Sequence, residues 1–296
     1  VYVNDFEIYR PQLIRAGQQE GLTFPNIDLI RDLSFSSGGF EARYGNKMSS
    51  VLDVKYKRPD STAASVSMSF LGGSAHVEGS RSLGTDNYRK FRYLAGARYK
   101  TTRYLLGSLD VSGEYVPNFA DVQAYLTYDL NRDWQVGFLG NYNRSIYRFV
   151  PVERNTGLGL IDFALQLYSE FEGKELDDFA TQMAGLSFTY LPDKKNNPFF
   201  LKFMASINSS DEQETFDIIG NYSLRQIESG LGSGSFGEPI AELGSGTQHL
   251  YVRNFLQTQV VSLQHKGGLE ISKKHFLNWG ATYRIEQIKD KIREWE

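Results

Sequence analysis

The strongest constraint on this chain is an alternation of apolar and polar residues with a period of two, sustained from about Thr62 onward. Val122, Ala124, Leu126, Tyr128 and Leu130 share one parity, while Gln123, Tyr125, Thr127 and Asp129 share the other. The next run repeats it, with Trp134, Val136, Phe138 and Tyr142 against Gln135, Asn141 and Asn143. Near the end, Leu277, Trp279, Ala281, Tyr283 and Ile285 alternate with Asn278, Gly280, Thr282, Arg284 and Glu286. Successive side chains of a strand point to opposite faces, so each run has one apolar and one polar face. The pattern predicts about nine strands, at roughly 62–71, 74–82, 91–106, 119–130, 134–147, 179–191, 199–219, 249–271 and 276–292.

Several of these runs exceed the usual globular strand of about five or six residues. A tilted strand needs about 9–11 residues to cross a hydrocarbon layer. Connections alternate in length after residue 119. Asn131-Arg132-Asp133, residues 192–198 and residues 272–275 are short, whereas 148–178 and 220–248 read as long loops. Short turns on one rim and long loops on the other fit a transmembrane antiparallel β-barrel better than a sandwich or propeller. The composition agrees: 18 Tyr, 20 Phe and 28 Gly with only eight prolines suit strands and turns. A mean hydropathy of −0.40 does not oppose a membrane barrel, because lumen-facing residues lower the average. No apolar run is long enough for a transmembrane helix. The first residues lack the charged and apolar regions of a signal peptide.

Residues 1–58 read differently, as a small α+β unit. Residues 6–9 and 51–56 are strand-like, and Asn26 or Asp28 would cap a short helical turn. Other chemistry is sparse. With no cysteine there is no disulfide framework, thiolate zinc site or cysteine nucleophile. A net charge of −3 argues against nucleic-acid binding. Gly232, Gly234 and Gly237 match G-x-G-x-x-G, but no helix pattern follows, so this reads as a loop. His76, His249, His265 and His275 show no metal-ligand spacing, and His76 and His265 are read as wall residues that could face the lumen. The acidic runs 170–178 and 210–214 read as solvated loops without calcium-site spacing. Tyr88, Phe91, Tyr93, Tyr99, Tyr104, Trp134, Tyr147 and Tyr251 lie near predicted strand ends, where an interfacial girdle belongs. No G-x-S-x-G elbow occurs, and neither a catalytic residue, a cofactor nor a metal is expected.

The stretch Ser36 to Pro59, SSGGFEARYGNKMSSVLDVKYKRP, resembles the end of the plug domain in TonB-dependent outer-membrane receptors. Tyr44-Gly45 takes the place of that family's aromatic-glycine pair after a small helix. Ser49 to Val54 takes the place of its apolar strand, and Lys57-Arg58-Pro59 the exit to the barrel. The variant Gly38-Gly39-Phe40-Glu41-Ala42-Arg43-Tyr44-Gly45 is similar to the Bacteroidota form, although Asn46-Lys47-Met48 stands where a further glycine is common. Tyr128 to Trp134 is similar to early barrel strands of the family. The resemblance implies residues 1–58 as the C-terminal part of a plug domain and 59–296 as the N-terminal part of the barrel. The chain would then be a fragment with about nine strands of a larger barrel, in a bacterial outer membrane.

The same resemblance implies nutrient binding at the extracellular face and import by plug gating, without covalent catalysis. It makes Gly38, Gly39, Tyr44, Gly45, Val51 and Asp53 a structural plug signature and leaves the substrate-binding residues open. Implied partners are outer-membrane lipid and TonB in the periplasm, the latter through a segment absent here. A surface lipoprotein or the subunits of an outer-membrane complex are further candidates. The competing readings are a receptor-like scaffold subunit of an assembly or secretion complex, an outer-membrane enzyme and a soluble β-rich adhesin.

Overall fold

A computed structural model describes residues 1–10, 23–39, 41–45, 47–83, 88–101, 115–160, 163–192 and 198–295. Two sheets account for nearly all of them. The smaller contains β1 (Tyr2–Val3), β2 (Phe6–Glu7), β3 (Ile30–Ser36) and β4 (Val51–Tyr56), in the order β2-β1-β4-β3. Its β1 and β4 are parallel and its other pairs antiparallel. The larger sheet is antiparallel throughout and is called the wall below. It runs through β5 (Ala63–Ser69), β6 (Gly72–Ser82), β7 (Lys90–Thr101), β8 (Tyr115–Asp129), β9 (Trp134–Phe149), β11 (Phe163–Tyr190), β12 (Phe199–Ile227), β13 (Pro239–Ser272) and β14 (His275–Lys291). Two further strands, β10 (Arg154–Leu160) and β15 (Glu294–Trp295), pair with β11 and β13. The wall is unclosed among the described residues: a partial antiparallel β-barrel.

The strands are longer than the periodicity suggests. β11, β12 and β13 run 28, 29 and 34 residues, about 90–110 Å at the rise of an antiparallel strand. The stretches 148–178 and 220–248 are therefore mostly ladder, not loop. The acidic runs lie in it too, with Asp177 opposite Glu214 and Asp178 opposite Gln213. Backbone pairing runs unbroken through most of these upper segments. In the first 58 residues the described helical turns are two short 3-10 turns, Ile27–Leu29 and Ala42–Tyr44. Asn26 caps the first of these, accepting from the Asp28 N–H at 3.1 Å.

One hydrophobic core joins the two sheets. Val3, Phe6, Ile8, Phe24, Leu29, Val54 and Tyr56 of the small unit pack with Leu94, Leu139, Met183 and Met204, one residue from each of four wall strands. Each such buried apolar side chain contributes about 1.5–3 kcal/mol. Gly96 permits the close approach: a Cβ there would lie 2.9 Å from Asn26 Nδ2 and 3.1 Å from a Leu29 methyl. Contacts to the small unit extend from Ser74 on β6 to Arg284 on β14, so the wall curves around it.

The β5–β6 hairpin turns through Phe70-Leu71 and needs Gly72 at φ +136°, where a Cβ would come within 2.0 Å of the Tyr99 carbonyl oxygen. Gly72→Ala is expected to destabilise the protein by about 2 kcal/mol or more. A drop in the thermal midpoint measures this, and an unchanged midpoint refutes it.

Candidate functional site

Three of the signature residues meet in the structure. Tyr44 and Val51 form a second core cluster with Tyr2, and the Tyr44 hydroxyl donates to Asp53 Oδ2 at 2.8 Å. The Tyr2 and Tyr44 rings are 5.1 Å apart. Burial, followed by that carboxylate contact, pushes the Tyr44 hydroxyl well above its ordinary range. Gly39 has φ +59°, a left-handed conformation that favours glycine. Gly45 has φ −38°, outside the left-handed region. Gly38 has open space where a Cβ would be.

A charged contact attaches that sheet to the wall. Asn4 and Asp5, at φ 48° and 78°, form the tight turn between β1 and β2. The turn carries Asp5 into a group of three ammonium ions: Lys202 Nζ at 2.5 Å, Lys55 at 2.9 Å and Lys266 at 3.7 Å. Burial raises the Asp5 carboxyl, but Lys202, Lys55 and Lys266 outweigh it and hold the group well below the usual carboxylate range. Lys202 also donates to the Asn4 carbonyl at 3.0 Å. Glu7, two residues on, pairs with Lys47 and with Arg284 of β14.

On the other flank, Arg98 of β7 forks onto Asp121 of β8 at 2.7 and 2.8 Å. It also donates to the carbonyls of Thr23, Phe24 and Pro25 at 3.0–3.2 Å. Gln123 Nε2 donates to the Phe24 carbonyl at 2.7 Å, and its oxygen accepts from the Tyr56 hydroxyl. Sequence reading missed the contact that Asp5 makes. Its signal was an Asn-Asp pair between Tyr2-Val3 and Phe6, the composition of a type I′ hairpin turn.

Farther along the same inner face, beyond the small sheet, Phe149, Phe171, Phe216, Ile218, Tyr222 and Leu250 line a cavity of about 200 Å³. Phe171 and Tyr222 meet edge to face at 5.9 Å, and Arg154 and Gln248 stand at the polar margin. Strand register puts these aromatic residues on one face although they lie far apart in sequence. Such a lining suits an apolar or planar ligand with hydrogen-bond acceptors at its edge.

The opposite face of the wall is apolar and exposed. Val122, Leu186, Phe203, Leu263, Tyr283 and Ile285 are each 45–64 % accessible. Beyond Tyr142 the face becomes charged, where Arg144 Nε donates to Asp178 at 2.9 Å. Aromatics gather at the short-turn rim, with Trp134 and Tyr190 at 4.7 Å and Tyr190 and Phe199 at 5.7 Å.

His76 sits on the inner face near Ser65 and Glu78. His265 is on the outer face, contrary to the lumen-facing expectation. It stacks on Phe203 at 4.6 Å and accepts from Trp279 Nε1 at 3.1 Å. Tyr147 shares the parity of the buried Asn143 and Ser145, so it does not belong to an outer girdle, and Tyr104 lies outside the described residues. No group of three or more potential metal ligands occurs among the described residues. The glycines 232–237 occupy the β12–β13 connection and lead into a strand, not a helix.

No family model and no curated protein matches the chain. Among solved structures, the ferripyoverdine receptor of the outer membrane of Pseudomonas aeruginosa aligns at 11 % identity and TM-score 0.34, over 90 % of this chain and 43 % of that one. The siderophore receptor PiuA from Acinetobacter baumannii aligns at 7 % identity and TM-score 0.33, over 98 % and 54 %. The ferric preacinetobactin receptor of the same organism aligns at 10 % identity and TM-score 0.25, over 80 % and 46 %. The chain thus spans about half the length of these structures, and overlap at this level assigns it no function.

Proposed function

We propose that the chain is part of a TonB-dependent type of outer-membrane receptor, with residues 59–296 as lipid-facing wall and 1–58 as part of a gating plug. One observation carries this reading. A small sheet is attached by charged side chains to the polar inner face of a wall whose outer face is an apolar band. From Trp134 to Arg144 is about ten residue steps, or about 33 Å along the strand, and about 25 Å of height at a 40° tilt. That height matches the apolar band of outer-membrane barrels. The upper parts of β11, β12 and β13 would then stand in the extracellular medium, with the aromatic cavity at the mouth.

In this reading a nutrient with apolar or planar surface binds among Phe149, Phe171, Phe216 and Tyr222, above the plug. Moving the plug off the wall requires breaking the Asp5 and Glu7 contacts, and a pull from TonB on the small unit would supply the work. Function is binding and gating, and the polar inner face gives the released solute a wet path.

Leu186→Lys tests the membrane assignment. Leu186 lies mid-band and faces outward, so a lysine there is expected to destabilise insertion by about 2–4 kcal/mol. Folding into lipid vesicles under a urea titration measures it. A chain that is monodisperse without detergent and indifferent to the substitution refutes the assignment.

A further inference from the structure

We infer that the inner face of the wall carries an anion site for the cargo itself, and that Asp5 and Glu7 of the small sheet occupy it in the closed state. The inference rests on the gating reading and gives its cargo a chemical class: a solute that bears carboxylates. The site lies on the short-turn side of the aromatic cavity. Lys202 of β12 and Lys266 of β13 are direct cross-strand partners. Like charges directly opposite one another destabilise a sheet, so this pair calls for an anion between its ammonium groups. Asp5 supplies it, at 2.5 and 3.7 Å. Arg284 of β14, on the same face, takes Glu7 at 2.5 Å.

The contact holds more cations than anions. Lys47, Lys55, Lys202, Lys266 and Arg284 meet Asp5, Glu7 and Asp53. Among the described residues Lys266 reaches a carboxylate only at 3.7 Å, and Lys202 and Lys55 hold that carboxylate more closely. The surplus grows when the small sheet leaves, because Asp5, Glu7 and Asp53 go with it. Lys202, Lys266 and Arg284 stay behind. Glu270 and Glu286, the carboxylates on this face of β13 and β14 next to them in sequence, pair with none of the three. Removing one partner from a buried ion pair is strongly destabilising, because the other charge is left uncompensated. A solute that brings its own carboxylates to the vacated cations removes that penalty. It binds the open state and not the closed one, where Asp5 and Glu7 fill the place, so it shifts the equilibrium toward opening. The cargo thereby helps to release the sheet that stands in its way.

The test is hydrogen exchange at residues 51–56 of the full-length protein in detergent, at constant ionic strength, with sodium succinate, sodium chloride or uncharged succinamide. Succinate is expected to speed exchange about tenfold, the effect of a ligand at about ten times its Kd for the open state alone. Chloride and succinamide are expected to leave exchange unchanged. In Lys202→Gln with Lys266→Gln the small sheet exchanges faster from the start, and succinate is expected to add less than about twofold. Lys266→Gln alone gives up only the 3.7 Å contact and keeps the site testable if the double variant does not fold. It is expected to cut the succinate effect to about threefold. Equal acceleration by chloride reduces the effect to screening and overturns the site. No response to succinate in the unaltered protein, or a response that survives both variants, overturns it as well. If the protein needs no detergent while succinate still acts through the two lysines, the site stands and its part in import is overturned.

Discussion

Asp5→Ala is expected to weaken attachment of the small sheet to the wall by about 3 kcal/mol or more, the effect of breaking a buried ion pair by removing one partner. Asp5 is the anion shared by Lys202, Lys55 and Lys266, and its side chain is only 19 % exposed. Alanine leaves three ammonium groups close together with their counter-charge gone. Hydrogen exchange at residues 51–56 reads the result, because β4 is central in the small sheet. Faster exchange there, with the wall ladders β11–β12 unchanged, is the expected signature. Lys57→Ala is the control: its contact to Glu78 is 3.4 Å long and 35 % exposed on the lysine side, so a shift under about 1 kcal/mol is expected.

The pH dependence follows from the same group. The folded Asp5 carboxyl lies well below its unfolded value of about 3.9. Its contribution is therefore fully present above about pH 4 and is lost as pH falls below that, toward the folded pKa. Attachment in the unaltered protein is expected to weaken below pH 4, and Asp5→Ala to flatten that limb. If the two proteins lose the small sheet with the same acid profile, the Asp5 cluster is not what holds it.

How much of this was legible in the sequence depended on contrast between the two faces of each strand. In β8, β9 and β14 one face meets the apolar band and the other meets polar wall or plug groups, so Val122 to Asp129 and Leu277 to Glu286 alternate clearly. Above the band that contrast disappears. Glu170, Glu172 and Lys174 share a strand with Phe171 and Gly173, and β12 from Asp217 to Ile227 mixes polarities on both faces. Main-chain pairing and scattered aromatics on the inner face define those segments, without a continuous apolar stripe, which is why two of them read as loops. The His265 error was avoidable, because its parity is that of Val261 and Leu263. The lysines around Asp5 were not legible at all. They come from residues 55, 202 and 266, and register rather than local sequence brings them together. The aromatic cavity is of the same kind, assembled from β9, β11, β12 and β13.

The gating reading makes its sharpest prediction at Asn26 and Gly96. A Cβ on Gly96 would lie 2.9 Å from Asn26 Nδ2, the far end of a side chain that can give way. Cysteines at both positions remove that amide, and they are expected to form a disulfide on oxidation, read as loss of free thiols, which requires the two Cβ atoms to approach to about 3.5–4.5 Å. The natural chain contains no cysteine, so the pair Asn26→Cys with Gly96→Cys has no competing thiol within it. Loss of the Asn26 cap costs about 1 kcal/mol, and the new side chain at Gly96 meets a Leu29 methyl at 3.1 Å; the reduced double variant carries both costs as its own control. Oxidation is expected to leave ligand binding at the mouth intact and to abolish uptake into vesicles, with full recovery on adding a reductant. The reason is topological: Asn26 belongs to the small unit and Gly96 to β7 of the wall, so a covalent bond between them forbids any separation at that flank. Uptake that continues at the unmodified rate through the oxidised protein would show that solute passes without the small sheet leaving β7. Loss of binding as well as uptake would place the ligand at the interface of the two sheets and not in the aromatic cavity above them.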